Sequence, residues 1–122
     1  MTIVLHGRVP SKKNSRKAIY TGGRTIMIPS DQYKMWHGGA MGEIIGTKAI
    51  TKYPVRVTIS LWMPDAIRAD LTNKAESIMD LLVDAGVLQD DNWNVVPEVI
   101  LRCKGIDRTN PRAEITIEKI KK

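Results

Sequence analysis

Val55–Met63 reads VRVTISLWM, and seven residues later Asp70–Asp91 reads DLTNKAESIMDLLVDAGVLQDD. The first stretch alternates Val55, Val57, Ile59 and Leu61 against Arg56, Thr58, Ser60 and Trp62. That period of two predicts a strand with one buried face. Pro64 ends it. In the second stretch Leu71, Ala75, Ile78, Met79 and Leu82 recur at helical spacing, a core-facing stripe over Leu71–Ala85. Asn73, Glu76, Ser77, Asp80 and Asp84 then fall on the solvent side. Asp70 stands at the N-cap position, and Gly86 suits the residue that stops the helix.

Working outward, Ile3–Val9 reads as a strand ended by Pro10, and Ser11–Lys17 as a polar basic loop. Ala18–Pro29 reads as a hairpin turning at Gly22-Gly23. Ser30 or Asp31 caps a helix to about Ile45, which Gly38, Gly39 and Gly42 weaken by up to roughly 1 kcal/mol each. Val99–Lys104 and Ala113–Ile120 read as two further strands. The order β-β-β-α-β-α-β-β predicts an α/β (α+β) fold with a mixed sheet and two main helices. The chain of 122 residues fits a single domain, residues 1–122.

Charge is distributed unevenly. Residues 65–91 hold seven of the thirteen acids against Arg68 and Lys74, a local charge of −5. The remainder, with seventeen bases against six acids, carries +11. Crowded carboxylates repel one another unless a cation neutralises them, and Mg²⁺ prefers oxygen ligands. A basic chain with one acidic island therefore points to a polyanion bound around a cation site. Arg8, Lys12, Lys13, Arg16 and Lys17 place five positive charges in ten residues without an acid, which suits phosphate contacts; a solvated loop is the plain alternative.

Other classes are disfavoured. The single Cys103 rules out an intrachain disulfide and a thiolate zinc site, and reads as a small core or strand residue. No apolar run approaches the roughly 20 residues of a membrane span. The start MTIVLHGRVPSKK has no secretory pattern, so a cytoplasmic setting, bacterial or in a phage-infected host, is the expectation. A calcium-loop reading of Asp70-x-Thr72-x-Lys74 fails for want of later ligands and a glycine. Tyr33 and Trp36, three apart on a helix, suit core packing. Trp93, just after the acidic turn, is the better candidate for a DNA or dimer contact. His6 and His37 show no partner pattern and read as structural.

Asp70-Leu-Thr-Asn73, followed by Gly86-Val-Leu-Gln-Asp90-Asp91, resembles the RusA-type Holliday junction resolvases. In that family a strand leads into a D-L-D-N helix start, and a G-V/I-L/I-x-D-D turn follows the helix. The resemblance covers about 30 residues closely, with Asn73, Asp80, Gly86 and Asp90 also in matching positions. It implies a RusA-like homodimer that resolves four-way DNA junctions with Mg²⁺, or Mn²⁺ in its place, in recombination and repair, often in a phage setting. By resemblance Asp70 and Asp91 are catalytic metal ligands; the chemistry of phosphodiester hydrolysis adds Asp90 and Glu76 as candidate ligands and Lys74 as a candidate catalytic residue that contacts the phosphate or stabilises developing charge. Asn73, Trp93 and the basic residues Arg8, Lys12, Lys13, Arg16 and Lys17 are candidates for binding DNA.

One departure stands out. The family's second aspartate is Thr72 here, and the lysine many members carry is replaced by Glu76. Glu76 lies one helical turn from Thr72 and is the candidate to supply the missing carboxylate. The alternatives are metal binding through Asp70, Asp90 and Asp91 alone, or an impaired site that makes the chain a junction-binding protein. Cutting of other branched DNA, such as flaps and forks, also stays open.

Overall fold

The computed structural model describes residues 1–11, 16–29 and 31–121. The elements are β1 (Thr2–His6), β2 (Arg16–Thr21), β3 (Arg24–Pro29), α1 (Asp31–Ile44), β4 (Val55–Met63), α2 (Leu71–Asp84), β5 (Glu98–Ile106) and β6 (Arg112–Lys119). β1, β6, β4 and β5 form one mixed sheet in that order, while β2 and β3 form a separate hairpin. β4 runs parallel to β5 and antiparallel to β6. The α+β class, the mixed sheet and the element order are those the patterning predicts.

The alternation in β4 does what its period requires. Val55, Val57, Ile59 and Leu61 are buried, and β6 matches them with Ala113, Ile115 and Ile117. This covered face receives Ile78, Met79, Leu81 and Leu82 from α2 and Ala40 and Ile44 from α1. The β4–β5 register slips after Leu61, so that Lys104 is passed over and Trp62 faces Gly105. Gly105 takes φ +116°, a conformation that favours glycine, and the bulge turns the end of the edge strand.

α2 ends in a Schellman motif. The Val87 N–H donates to Leu82 O, the Gly86 N–H donates to Val83 O, and Gly86 takes φ +75°. The acidic turn therefore leaves the helix in a fixed direction.

Several expectations need correction. β1 stops at His6 because Gly7, at φ +91°, turns the chain out of the strand. Val9 and Pro10 are instead buried against α2. Arg16 and Lys17 open β2 and are not loop residues. Asn73 and Ser77 were placed on the solvent side of α2, yet both are buried. The Val9–Pro10 segment covers that side of the helix, so α2 is enclosed on more than its sheet-facing stripe. Cys103 lies in β5 but is exposed. His6 and His37 do have partners. His6 Nδ1 lies 2.6 Å from Glu43 Oε2, and His37 Nε2 lies 2.9 Å from Asp84 Oδ2, tying α1 to β1 and to α2. Lys12, Lys13 and the possible cap Ser30 lie outside the described residues.

Candidate active site

The site is built along α2 and closed by the turn that follows it. Thr72, Glu76 and Asp80 stand at i, i+4 and i+8, so they share one helical stripe. With Ala75 and Met79 of α2, Val99 and Leu101 of β5, and Asp91 from the turn, they line a cavity of about 590 Å³. Its lining combines four apolar side chains with three carboxylates and one hydroxyl.

Asp91 is held by the geometry of its turn. Its N–H donates to Asp90 Oδ1 at 2.7 Å, and the Asn92 amide donates to Asp90 Oδ2 at 3.0 Å. Asn92 Oδ1 in turn accepts from the N–H groups of Asn94 and Val95. Asp90 thus serves the turn. Burial, then the adjacent Asp90 carboxyl and the charge of Asp80, push the Asp91 pKa above its ordinary value. Negative charge is crowded here, the condition a cation relieves.

Asp70 occupies the N-cap position in an extended conformation (φ −83°, ψ 125°), yet its side chain makes no capping hydrogen bond. Its Oδ2 accepts from the Asn73 amide at 3.3 Å. The carboxylate is exposed at the start of α2, beside the cavity rather than on its lining. Asn73 is 8% exposed, so its amide orients Asp70 and is withdrawn from a direct DNA contact.

Lys74 departs most from expectation. It is 5% exposed, and its Nζ donates to the Val9 carbonyl at 2.5 Å. One turn on, the Ser77 hydroxyl donates to Pro10 O at 2.7 Å. Desolvation, aided by the Arg8 charge and opposed by Asp65, lowers the Lys74 pKa. An ammonium spent on an internal carbonyl is out of reach of a phosphate. The structure places Lys74 as an internal tether, away from the cavity lining where a catalytic group was expected. Arg8 pairs with Asp65, which also accepts from the Ile67 N–H; that backbone bond, then Arg8, holds the Asp65 carboxyl below its ordinary range. Trp93 is 77% exposed, next to the acidic turn.

The structure therefore brings Glu76 and Asp91 together, sets Asp90 behind Asp91, and leaves Asp70 at the near end of the helix. Asp80, on the polar side of the helical projection and in a position that matches the family, joins this lining; its spacing from Thr72 and Glu76 is the signal for that placement. Among the described residues no three His, Cys, Asp or Glu side chains are gathered as a ready-made metal cage. The donor chemistry nonetheless suits a hard cation, because every polar group on the rim is an oxygen ligand. Holding one requires the carboxylates to converge by rotation about their side-chain bonds.

A family model described as Endodeoxyribonuclease RusA matches residues 7–118. No curated protein sequence matches the chain. No helix among the described residues is long and apolar enough to cross a membrane.

Proposed function

The chain belongs to the RusA family of endodeoxyribonucleases, which are Holliday junction resolvases, and from that premise we propose that it hydrolyses phosphodiesters of four-way junctions with Mg²⁺ held at the acidic cavity. The observation that supports this most directly is that Glu76, Asp80 and Asp91 line one cavity beside Thr72. Nucleases of this kind typically use divalent metal ions, and Mn²⁺ is the expected substitute. Bound there, the cation would activate water and neutralise charge on the phosphate.

The chain's own groups do the rest. Glu76, Asp80 and Asp91 would hold the cation, with Asp70 available to it from the start of α2. Asp90 fixes the turn that aims Asp91. Asn73 steadies Asp70 through its amide. Arg8 and the basic residues Lys12, Lys13, Arg16 and Lys17 take the phosphates, with Trp93 available for stacking on an unpaired base. A two-fold dimer would present two such sites to the two-fold symmetry of a junction.

Thr72 on the cavity wall favours a second reading, a junction-binding protein with impaired cutting. Incubation of a synthetic four-way junction with Mg²⁺, with linear duplex and Asp91→Asn protein as controls, separates the two. Paired symmetric nicks by the wild type alone support the resolvase. Binding without cutting supports the second reading. Flap and fork substrates at equal salt test the breadth of the activity.

A further inference from the structure

A second basic surface is formed by the loop after α1 and the end of β6. Lys48 and Lys52, on the loop between α1 and β4, and Lys119, at the end of β6, line a cavity of about 280 Å³ whose other lining residues include Thr51 and the apolar Val55 and Ile117. No acid lines it. Among the described residues none of the three lysines has a carboxylate partner. Two other cations on the sheet are paired, Arg56 with Glu98 and Arg112 with Asp107 and Glu114, whereas Arg102 and Lys104 lie along β5 and line no part of this cavity.

This loop is fastened to the catalytic turn. The Ile50 N–H donates to Val87 O at 2.8 Å. The Tyr53 hydroxyl donates to Ile50 O at 3.0 Å and accepts from the Gln89 N–H at 3.0 Å. Gln89 immediately precedes Asp90 and Asp91. Ile120 N–H donates to Pro54 O, which brings the end of β6 to the same place. The lysines are thus held in register with Asp91, whereas the Arg8 segment is held at the opposite end of α2 through Val9 and Pro10.

We propose that Lys48, Lys52 and Lys119 form a second phosphate-binding surface, which takes the backbone of a DNA arm beyond the cut site. The proposal rests on the resolvase reading and adds the part of the substrate path that reading leaves unassigned. Lysines without carboxylate partners around a concave wall without acids suit a polyanion (Lys119 donates to the Ile120 carbonyl, at 3.4 Å), and DNA is the polyanion this family acts on. Phosphate contacts of this kind set position and affinity without reading sequence.

The test is the triple variant K48Q/K52Q/K119Q. Binding to a labelled four-way junction is followed by fluorescence anisotropy in EDTA across a salt series. Each lost phosphate contact flattens the dependence of log K on log salt by about 0.9. The triple variant should show most of three such steps, K52Q alone about one, with melting temperatures unchanged. A charge-matched control, K34Q/R102Q/K104Q, should leave the slope near wild type. An unaltered slope in the triple variant overturns the proposal, as does an equal loss in the control, which would make the effect one of net charge. A wild type that neither binds nor cuts the junction overturns the resolvase reading itself, and is distinguishable because it needs no variant.

Discussion

The Lys74 ammonium donates to the Val9 carbonyl at 2.5 Å, inside the protein and one turn of helix from Asp70. A buried charge needs a partner, and this one has a backbone oxygen with Arg8 and Asp65 as its nearest charged neighbours. The contact joins the segment leading to the basic loop to the helix that carries the acids. Its lowered pKa means that the folded chain binds the Lys74 proton less tightly than the unfolded chain. Stability therefore rises with pH between that lowered pKa and the ordinary value of 10.5, and the cost is fully present below the window. Lys74→Met should lose that rise. Urea unfolding of both proteins from pH 7 to pH 10.5 checks it; parallel curves would refute the assignment.

Ser77→Ala removes the second tether and strands the Pro10 carbonyl in the interior. A buried acceptor left without its donor costs about 1–3 kcal/mol. The denaturation midpoint should fall accordingly, with the slope of the transition unchanged.

Asp91→Asn should separate stability from activity. Burial and the neighbouring carboxyls raise the Asp91 pKa, so its charge is unfavourable in the metal-free protein at neutral pH. The amide should slightly raise the melting temperature in EDTA while lowering the rate of junction cutting by more than about 100-fold, the upper range for groups one shell further from a metal. A variant that is both less stable and fully active would contradict the site.

Thr72→Asp adds a carboxylate to the wall shared by Glu76, Asp80 and Asp91. Affinity for Mn²⁺, followed by calorimetry, should rise by about tenfold or more, equivalent to roughly 1.4 kcal/mol. The melting temperature in EDTA should fall, because like charges are brought closer. Glu76→Gln should move both quantities the opposite way.

Much of this was legible in the sequence. VRVTISLWM gave its strand boundaries directly, because strict alternation over nine residues has one solution when one face is buried. The helix after Asp70 was equally plain, and Gly86 marked its end. Lys74 and Ser77 were not legible. Their burial depends on Val9 and Pro10, more than sixty residues earlier, and a helical projection shows only the face an element offers, never what arrives from a distance. Asp80 was legible only through its family-matching position: a charged residue on a polar face reads as solvated until β5 and the turn at Asp91 supply the other wall of the cavity. The Lys48–Lys52 loop carries no motif, and its position becomes informative only through Tyr53 and Gln89.

α2 also acts as a ruler. Its fourteen residues span Leu71–Asp84, and at about 1.5 Å per residue they make a rod roughly 21 Å long. One strand of DNA advances about 3.4 Å per nucleotide, so that rod measures roughly six steps of backbone. With the Val9–Pro10 segment tied to the first half of the helix at Lys74 and Ser77 and the Lys48–Lys52 loop tied just past its end at Val87, the spacing between the two proposed phosphate surfaces would follow helix length. A four-residue insertion before Gly86 would lengthen that spacing by nearly two nucleotides, but at about 1.5 Å per residue it would also carry Asp91 roughly 6 Å from Glu76 and Asp80, so reach and cutting are tied to the same helix.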